Sequence, residues 1–208
     1  MNPFVSVVIP ISPQDEALAD QLRQAIGDSP DREVITISGS QRGTQMNAGA
    51  SRATGDWLLF LHADSRLPDG WDARIRTAPA EAVGGWFRFA LDDDAWQARV
   101  IERGVAWRVR LLRLPYGDQG LFVRRGVFER LGGFQPLPLL EDVDFMRRLK
   151  REGPLFEVPL PLRTSSRRWR HDGWLRRSLG NLAIISGYFA GVPPARLARW
   201  YRQEHEKR

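Results

Sequence analysis

The segment His62-Ala63-Asp64 places an imidazole and a carboxylate directly after the apolar run Trp57 to Leu61. A carboxylate at the end of a buried strand can hold a divalent cation against a diphosphate. Asp64 could instead cap the turn before Gly70, and the spacing does not choose between a metal ligand and a turn residue. A lone histidine at a strand end is more often structural than catalytic. The chemistry that this segment offers is therefore metal binding by Asp64.

The adjacent carboxylates Glu141 and Asp142 follow the glycine-containing turn Leu131 to Phe134 and precede a helical pattern. A carboxylate held at a helix start can act as a general base, which removes the proton of a hydroxyl while a bond forms. The simpler alternative is a helix cap, in which Asp142 accepts backbone N–H bonds and Asp144 places favourable charge in the first turn. Taken alone, the local pattern favours the cap.

Two further polar segments could bind a substrate. In Thr164 to Trp169, the guanidinium groups of Arg167 and Arg168 could hold phosphate oxygens in pairs, and the indole of Trp169 could stack on a sugar or a base. The segment Pro115 to Gly120 could cover a substrate. A solvated basic loop and an ordinary turn are the respective alternatives, and nothing local decides between them.

Short apolar runs alternate with helical patterns in the first half of the chain, which predicts the order strand, helix, strand, helix, strand. Trp57 to Leu61 is apolar on both faces, as expected for a parallel strand covered by helices on both sides. In such α/β folds, ligands gather at the carboxyl ends of the strands. The predicted elements are Val5 to Ile9, Ala17 to Ile26, Val34 to Ile37, Gln45 to Ala53 and Trp57 to Leu61, and the ligand-binding ends are Pro10 to Glu16, Ser38 to Arg42 and His62 to Ser65.

The second half of the chain has less regular patterns. The uncharged segment Ser178 to Val192 has fifteen residues, short of the roughly 20 that span a bilayer, and it predicts a buried helix. The other predicted elements are a strand at Gly84 to Leu91, a helix at Trp96 to Leu112, a short strand at Gly120 to Val123, a helix that begins at Glu141 and ends before Gly153, and a last helix opened by Pro193-Pro194.

The composition supports one folded domain. The chain has 208 residues, 42% of them hydrophobic, and its eight Trp and ten Phe supply enough apolar surface for one core. With no cysteine, the sequence excludes disulfides, thiolate nucleophiles and cysteine zinc sites. The N-terminal residues lack the pattern of a secretory signal, so we expect a cytoplasmic protein.

The positive charge is concentrated at the C-terminal end. Basic residues number 31 and acidic residues 25, an excess that suggests an anionic partner such as nucleic acid, a membrane surface or a phosphorylated ligand. From Arg163 onward there are eleven Arg or Lys against three Asp or Glu, and before it twenty against twenty-two. No nucleic-acid-binding motif accompanies this segment, and we expect no nucleic acid partner.

The last helix of the predicted set has two distinct faces. Leu197, Trp200 and Tyr201 lie on one face, and Arg196, Arg199 and Arg202 lie on another. This pattern is typical of peripheral contact with the inner, anionic face of a membrane. The alternative is that the apolar face packs on the domain while the arginines are solvated.

Five sequence blocks, in order, resemble those of glycosyltransferase family 2, which has the GT-A fold. Four segments also resemble a narrower group, the radical-SAM/selenodomain-associated transferase 2 proteins. The resemblance implies an α/β fold with a GT-A mixed sheet flanked by helices: a catalytic domain over 1–162, and an Arg-rich active-site loop with a C-terminal helical extension packed on the same domain over 163–208. The five blocks are Ser6 to Pro10, Arg42 to Ala50, Gly55 to Asp64, Gly132 to Phe134 and Glu141-Asp142; the four segments are Gln45 to Ala50, Phe60 to Asp64, Pro115 to Gly120 and Thr164 to Trp169.

The same resemblance implies a role for each candidate residue. Asp64 would hold Mg²⁺ or Mn²⁺ at the donor diphosphate. Asp142 would be the base in a single inverting displacement, supported by Glu141, that moves a sugar from a nucleotide-diphosphate sugar, with a UDP-sugar favoured, to an unknown hydroxyl acceptor that can be lipid-linked. The predicted nucleotide-sugar contacts are Pro10, Glu16, Ser38, Arg42, Gln45, Asn47, His62, Asp64, Arg167, Arg168 and Trp169, and the predicted acceptor side is Tyr116, Asp118 and Gln119.

Four positions depart from the family pattern. His62 replaces the first Asp of the Asp-x-Asp motif and would face the sugar or ribose. Ser38 stands where an Asp that reads the base is expected, and a hydroxyl binds a base N–H less strongly than a carboxylate does. Glu16 comes later after the first strand than the family's Asn-Glu pair, and Ser165 replaces the Gln of the Gln-x-x-Arg-Trp motif, which speaks against a processive synthase.

Two other functions remain open from the sequence alone. One is nucleotidyl transfer, which can use a related metal and diphosphate platform on the same fold. The other is a catalytically weak basic protein that binds anionic membrane surfaces.

Overall fold

One mixed sheet with helices on both faces forms the body of the protein. The computed structural model describes residues 4–13, 15–27 and 29–206, with side chains as far as Tyr201. Within these residues the strands are β1 (Val5–Ile11), β2 (Arg32–Ser38), β3 (Trp57–Phe60), β4 (Ser65–Arg66), β5 (Gly84–Leu91), β6 (Leu121–Arg124) and β7 (Leu155–Thr164). The helices are α1 (Glu16–Ile26), α2 (Arg42–Arg52), α3 (Trp71–Arg76), α4 (Trp96–Leu112), α5 (Arg125–Arg130), α6 (Glu141–Leu149), α7 (Arg167–Asp172), α8 (Trp174–Phe189) and α9 (Pro194–Glu206), and a 3₁₀ turn covers Gly117–Gln119.

The strands lie in the order β2-β1-β3-β6-β5-β7-β4. Strand β1 is parallel to β2 and β3, and β5 is parallel to β7, whereas β6 is antiparallel to both of its neighbours and β4 is antiparallel to β7. Because β1, β2 and β3 are parallel and helices connect them, their carboxyl ends meet at one edge of the sheet. The predicted α/β class with a mixed sheet is confirmed.

Alternate side chains of β1 enter two different cores. Val7 and Ile9 belong to an apolar cluster with Leu22 of α1, and Val8 between them belongs to a second cluster with Met46 of α2. The three β1 side chains are fully buried. Successive residues of a strand point to opposite faces, so this alternation means that helices cover the sheet on both sides.

An aromatic cluster holds the turn before α6 against the sheet. The ring centroid of Phe134 lies 4.9 Å from that of Phe60 in β3 and 4.6 Å from that of Phe145 in α6. All three side chains are buried. The start of α6, where Glu141 and Asp142 lie, is therefore fixed by packing against β3.

Most of the elements predicted for the second half of the chain are present, and one strand was not predicted. The predicted strand at Gly84–Leu91 and the predicted helix at Trp96–Leu112 are confirmed, and β6 begins one residue after the predicted start. Strand β7 was not predicted; it ends at Thr164, and the division of the chain at 162/163 stays a prediction.

The predicted buried helix over 178–192 is wrong. Helix α8 leaves Leu179, Leu182 and Phe189 more than half exposed and buries Arg177, Ile184 and Ile185. The Phe189 ring contacts that of Tyr188, with centroids 5.6 Å apart, whereas Leu179 and Leu182 stay exposed, so the neighbouring elements cover only part of this helix. None of the helices in the described part of the chain combines the length and the apolar character of a membrane-spanning segment.

Candidate active site

The carboxyl ends of β1 and β2 lie side by side, as predicted. Pro10 pairs with Ile37 across the two strands, and Ser38, the last residue of β2, is exposed to solvent at this edge. Glu16 is the exposed first residue of α1. Gln14, within the same predicted ligand-binding segment, lies outside the described residues. The edge is thus open where a nucleotide was predicted to bind.

The side-chain amide of Gln45 joins the two strand ends. Its nitrogen donates hydrogen bonds to the carbonyl oxygens of Ile11, at 2.7 Å, and of Ile37, at 2.8 Å, and the residue is buried. Since two carbonyl groups at the ends of β1 and β2 would otherwise lack this partner, Gln45 sets their separation. A direct contact of Gln45 with the nucleotide stays a prediction.

The side-chain amide of Asn47 also joins two segments that are distant in the chain. Its amide nitrogen donates to the carbonyl oxygen of Phe134 at 2.8 Å, and its oxygen accepts the Phe134 N–H at 2.9 Å. Gly133 has a positive φ of 68°, and a Cβ on it would lie 2.5 Å from the Asn47 oxygen. The Gly-Gly-Phe block therefore has a physical reason: only glycine allows the turn to approach Asn47 this closely.

The carboxylate of Asp142 is held by two backbone donors from different segments. Its Oδ2 accepts the N–H of Gly117 at 2.6 Å, and its Oδ1 accepts the N–H of Val143 at 2.8 Å. A Cβ on Gly117 would lie 3.2 Å from Asp142 Oδ2 and 3.1 Å from Nε2 of His62. Gly117 thus brings the β3 end, the 3₁₀ turn and the start of α6 together at one point.

The neighbouring Glu141 is buried, and its carboxylate faces the guanidinium of Arg42 at 3.9 Å. Burial and the negative charge of Asp142 raise the pKa of Glu141 to about 7, and Arg42 opposes both. The Arg42 side chain is 41% exposed, so it can contact both Glu141 and a ligand at the sheet edge.

His62 is an uncharged imidazole in this site. Burial lowers its pKa well below the usual value, and the positive charges of Arg42 and Arg168 lower it further. Its Nε2 is buried without a hydrogen-bond partner. A neutral histidine with a free ring nitrogen next to Asp142 can donate to, or accept from, a hydroxyl of a bound sugar.

Asp118 is the third carboxylate of the cluster. Burial raises its pKa to about 6; the cation Arg108 lowers the pKa, and the charges of Asp142 and Asp64 raise it. Oδ1 of Asp118 is buried without a partner. Asp118 directly follows Gly117, whose N–H donates to Asp142 at 2.6 Å, so Asp118 and Asp142 lie close together.

Gln119 and Tyr116, the other predicted acceptor-side residues, form the wall behind Asp118. Gln119 is buried, and its oxygen accepts from the Arg108 guanidinium at 3.1 Å and from the Tyr116 N–H at 3.3 Å. The Arg108 guanidinium lies over the Tyr116 ring, 3.4 Å from its centroid. Burial raises the pKa of the Tyr116 hydroxyl. Gln119 is a scaffold residue here, and Tyr116 and Asp118 line the open space.

Asp64 stands at the edge of a cavity of about 760 Å³ that Ser165 and Arg167 also line. No cluster of three or more His, Asp or Glu side chains suited to a metal ion occurs among the described residues. Mg²⁺ is commonly bound by one or two carboxylates together with substrate phosphates rather than by a cage of protein ligands. Asp64 fits a cation that takes most of its ligands from a diphosphate and water.

An ion pair that the sequence analysis missed fixes the Arg-rich segment. The buried carboxylate of Asp93 accepts from the Ser166 hydroxyl at 2.6 Å and from two nitrogens of Arg170, at 2.5 and 2.8 Å. These hydrogen bonds hold the pKa of Asp93 well below its usual range. The pair anchors the first turn of α7 and so places Arg168 where its charge reaches His62. The only sequence signal was a run of three Asp residues after β5.

The predicted residues line three hollows. Arg42, His62 and Asp142 line a small cavity with Gly117, and Asp64 and Arg167 line the cavity of about 760 Å³. Trp169 lines a groove together with Tyr116 and Asp118. Arg108, which no sequence pattern singled out, lines that groove as well.

Comparisons with known proteins identify the family and the fold of this chain. The family model "Glycosyl transferase family 2" matches residues 12–132, more than half of the chain. A mannosyltransferase from Pyrobaculum calidifontis, solved with GDP-Man and Mn²⁺, has a similar structure, with a TM-score of 0.66 at 15% identity over 99% of this chain and 70% of that one.

TarS from S. aureus is a second structural relative. Its fragment 1–349 with UDP superposes with a TM-score of 0.58 at 11% identity, over 78% of this chain and 60% of that one, and the same fragment with UDP-GlcNAc gives 0.54. This chain thus spans less than two thirds of the TarS fragment. A search of curated protein sequences gave no match. The narrower resemblance to the radical-SAM/selenodomain-associated group stays a prediction. The structural likeness establishes the GT-A fold, and the match of the family model to more than half of the sequence shows that the chain belongs to glycosyl transferase family 2.

Proposed function

We propose that this glycosyltransferase moves a sugar from a nucleotide-diphosphate sugar to a hydroxyl acceptor, with a divalent cation and with inversion at the anomeric carbon. The observation that carries the proposal is the position of Asp142. Its carboxylate is fixed by the N–H groups of Gly117 and Val143, beside His62 and within the electrostatic reach of Asp118. A base held in this way needs no reorganisation before it accepts a proton.

Glu141 and Asp142 have different proposed roles. The raised pKa of Glu141 lets this residue hold a proton near neutral pH, so that the two adjacent carboxyl groups need not both be charged. Asp142 would then accept the proton of the acceptor hydroxyl as its oxygen attacks the anomeric carbon. Arg42, close to Glu141, would limit how far the Glu141 pKa rises.

The donor diphosphate would lie between Asp64 and the cations of the site. A bound Mg²⁺ or Mn²⁺ would neutralise charge on the leaving diphosphate. Asp64 would hold the ion, and Arg42, Arg167 and Arg168 would bind phosphate oxygens. His62, neutral and with a free ring nitrogen, would face the sugar.

The nucleotide preference is proposed as UDP. The structural relatives were solved with a guanosine donor in one case and with uridine ligands in the other. Ser38 at the exposed end of β2 leaves a hydroxyl, rather than a carboxylate, to bind a base. A thermal-shift screen of UDP- and GDP-sugars with Mg²⁺, with Mn²⁺ and with EDTA tests this preference, because a ligand that binds only the native state raises its stability.

The substitution Asp142→Asn tests the proposed base. We expect turnover to fall by about 10²-fold or more, with the dissociation constant of the donor unchanged within about threefold. The amide matches the carboxylate in size but cannot accept the proton, and its oxygen can keep only one of the two backbone N–H bonds. Asp144→Asn, two residues along the same helix, is the matched control: its carboxylate pairs with Arg148 at 2.9 Å. Turnover retained in Asp142→Asn would remove Asp142 from the base role.

Product analysis separates glycosyl transfer from nucleotidyl transfer. Glycosyl transfer releases a nucleoside diphosphate, whereas nucleotidyl transfer releases pyrophosphate. We expect nucleoside diphosphate and a product of opposite anomeric configuration to the donor. Asp64→Ala should remove the stimulation by metal and weaken donor binding; metal stimulation that survives this substitution would assign the ion to other residues.

A peripheral membrane contact through α9 remains a prediction. Leu197 of its apolar face is buried, the Tyr201 hydroxyl accepts from Arg177 at 3.1 Å, and Trp200 is 54% exposed. These contacts favour packing of α9 on the domain. Co-sedimentation with anionic and neutral vesicles tests the contact, and equal recovery with both at every salt concentration would leave packing as the role of α9.

A further inference from the structure

A deep apolar groove runs between α4 and α8 and ends at the active site. Its volume is about 850 Å³, within the range typical of small-molecule sites. Six large apolar side chains form its walls and are each more than half exposed, namely Trp96, Val100 and Leu112 from α4 and Leu175, Leu182 and Phe189 from α8. Exposed apolar surface on this scale is typical of a binding site.

The inner end of the groove is polar and belongs to the active site. Arg108, Tyr116 and Asp118 line it, and Tyr116 and Asp118 flank Gly117, whose N–H donates to Oδ2 of Asp142 at 2.6 Å. A molecule that fills the groove therefore reaches the space in which the acceptor hydroxyl must lie. The groove therefore ends next to the turn that holds Asp142.

Three polar atoms in this groove lack partners. The Arg108 Nε, the Asp118 Oδ1 and the Trp169 Nε1 are buried and have no hydrogen bond. All three residues line the groove. Because buried polar groups are nearly always paired, two donors and one acceptor left unpaired at an apolar site indicate a ligand with a polar head.

We infer that the groove binds the apolar chain of an amphiphilic acceptor, whose hydroxyl head lies at Arg108, Asp118 and Trp169 and faces Asp142. This inference rests on the proposed function, since it names the acceptor of the same reaction. A water-soluble sugar would not need apolar walls. A second copy of the chain or a flat bilayer surface would cover the walls and leave the three polar atoms unpaired.

Tryptophan fluorescence can report an occupant directly, because Trp96, Trp169 and Trp174 line the groove. The probes are 12-bromododecan-1-ol and 6-bromohexan-1-ol, whose bromine quenches only nearby tryptophans. We expect saturable quenching by the longer probe. Each buried methylene strengthens binding about fourfold, so the longer alcohol should bind at least about tenfold more tightly.

Gly104→Phe is the blocking variant. Gly104 lies in α4 and lines the groove, and a Cβ placed on it meets open space, so the new ring can enter the groove without displacing backbone. Gly126→Phe in α5 is the matched control, since its nearest neighbour is the end of the flexible Arg130 side chain at 3.9 Å. Leu182→Lys, at an exposed wall position, is a second blocking variant with a charge in place of bulk.

The expected result is a loss of at least about tenfold in affinity for the long probe in Gly104→Phe and Leu182→Lys, and no loss in Gly126→Phe. Binding of UDP-sugar with Mn²⁺ should stay unchanged in all three. Quenching that does not saturate, or that is equal for both chain lengths, overturns the inference. Two results without any probe binding also overturn it. One is a wild-type dimer that Gly104→Phe converts to a monomer, which would mean that a second copy covers the groove. The other is vesicle binding by the wild type that is lost in Gly104→Phe.

The same measurements separate this inference from the proposed function. A protein that binds and turns over a nucleotide sugar but does not bind the long probe keeps the function and loses the acceptor groove. A protein that binds the probe in the groove but no nucleotide sugar, with any metal, loses the function and with it the identity of the groove's occupant as an acceptor.

Discussion

Replacement of Asp118 by Asn should stabilise the folded protein at neutral pH. Burial raises the pKa of this carboxyl from 3.8 to about 6. Between these pH values the unfolded chain releases the Asp118 proton while the folded protein keeps it, so stability falls as the pH rises. Above about pH 6 both states are ionised, and the loss remains constant.

The size of the effect follows from the pKa difference. At about 1.4 kcal/mol per pKa unit, it corresponds to about 3 kcal/mol in the free energy of unfolding. The Asp118 side chain keeps some contact with solvent through the groove, which makes this figure an upper bound. The quantity to compare is the free energy of unfolding of Asp118→Asn minus that of the wild type. We expect this difference to be about 1–3 kcal/mol larger at pH 7 than at pH 4.

Urea unfolding of the wild type and of Asp118→Asn, at intervals from pH 4 to pH 8, measures this gain. Asp69→Asn, at an exposed turn, controls for the removal of one negative charge. A difference that is the same at every pH would report only the packing of the new amide. The reasoning is refuted if the stability difference changes by less than about 0.5 kcal/mol between pH 4 and pH 7.

Two further substitutions test how the site is positioned. Asn47→Ala removes both hydrogen bonds to the Phe134 backbone and leaves the N–H and C=O of Phe134 unpaired. The free energy of unfolding in urea should fall by about 2–4 kcal/mol. A loss below about 0.5 kcal/mol would mean that water replaces the amide. Gly117→Ala introduces a methyl group 3.1 Å from His62 Nε2 and 3.2 Å from Asp142 Oδ2, so the turn must shift, and we expect the transfer rate to fall about 10- to 100-fold with little change in stability. Full activity in this variant would show that the catalytic geometry tolerates the shift.

Local patterns were sufficient for the elements that lead to the site. The both-face apolar run at Trp57 to Leu61 predicted a covered central strand, and Leu58 and Leu59 enter two different cores as such a strand requires. The order of the five sequence blocks predicted the family. Each of these features depends on residues close together in the chain or on motif order, which a sequence displays directly.

The roles of individual polar residues were not decidable in this way. The local pattern favoured Asp142 as a helix cap, and the structure shows that it accepts both from its own helix and from Gly117, 25 positions away. Gln45 and Asn47 appear in the same block as Arg42, yet their amides bind backbone carbonyls of distant segments. Residue type alone does not distinguish an amide that binds a ligand from one that joins two strands.

The C-terminal third shows most clearly what local sequence patterns predict and what they do not. The apolar character of 178–192 predicted a helix correctly and its burial wrongly, because burial depends on how much surface the neighbouring elements can cover. The sequence by itself determined the α/β class and the family, and it predicted which carboxylates form the site. Only the tertiary structure decided that Arg108, Asp118 and Trp169 line one apolar groove, since the relative positions of residues far apart in the chain depend on how the sheet and helices pack.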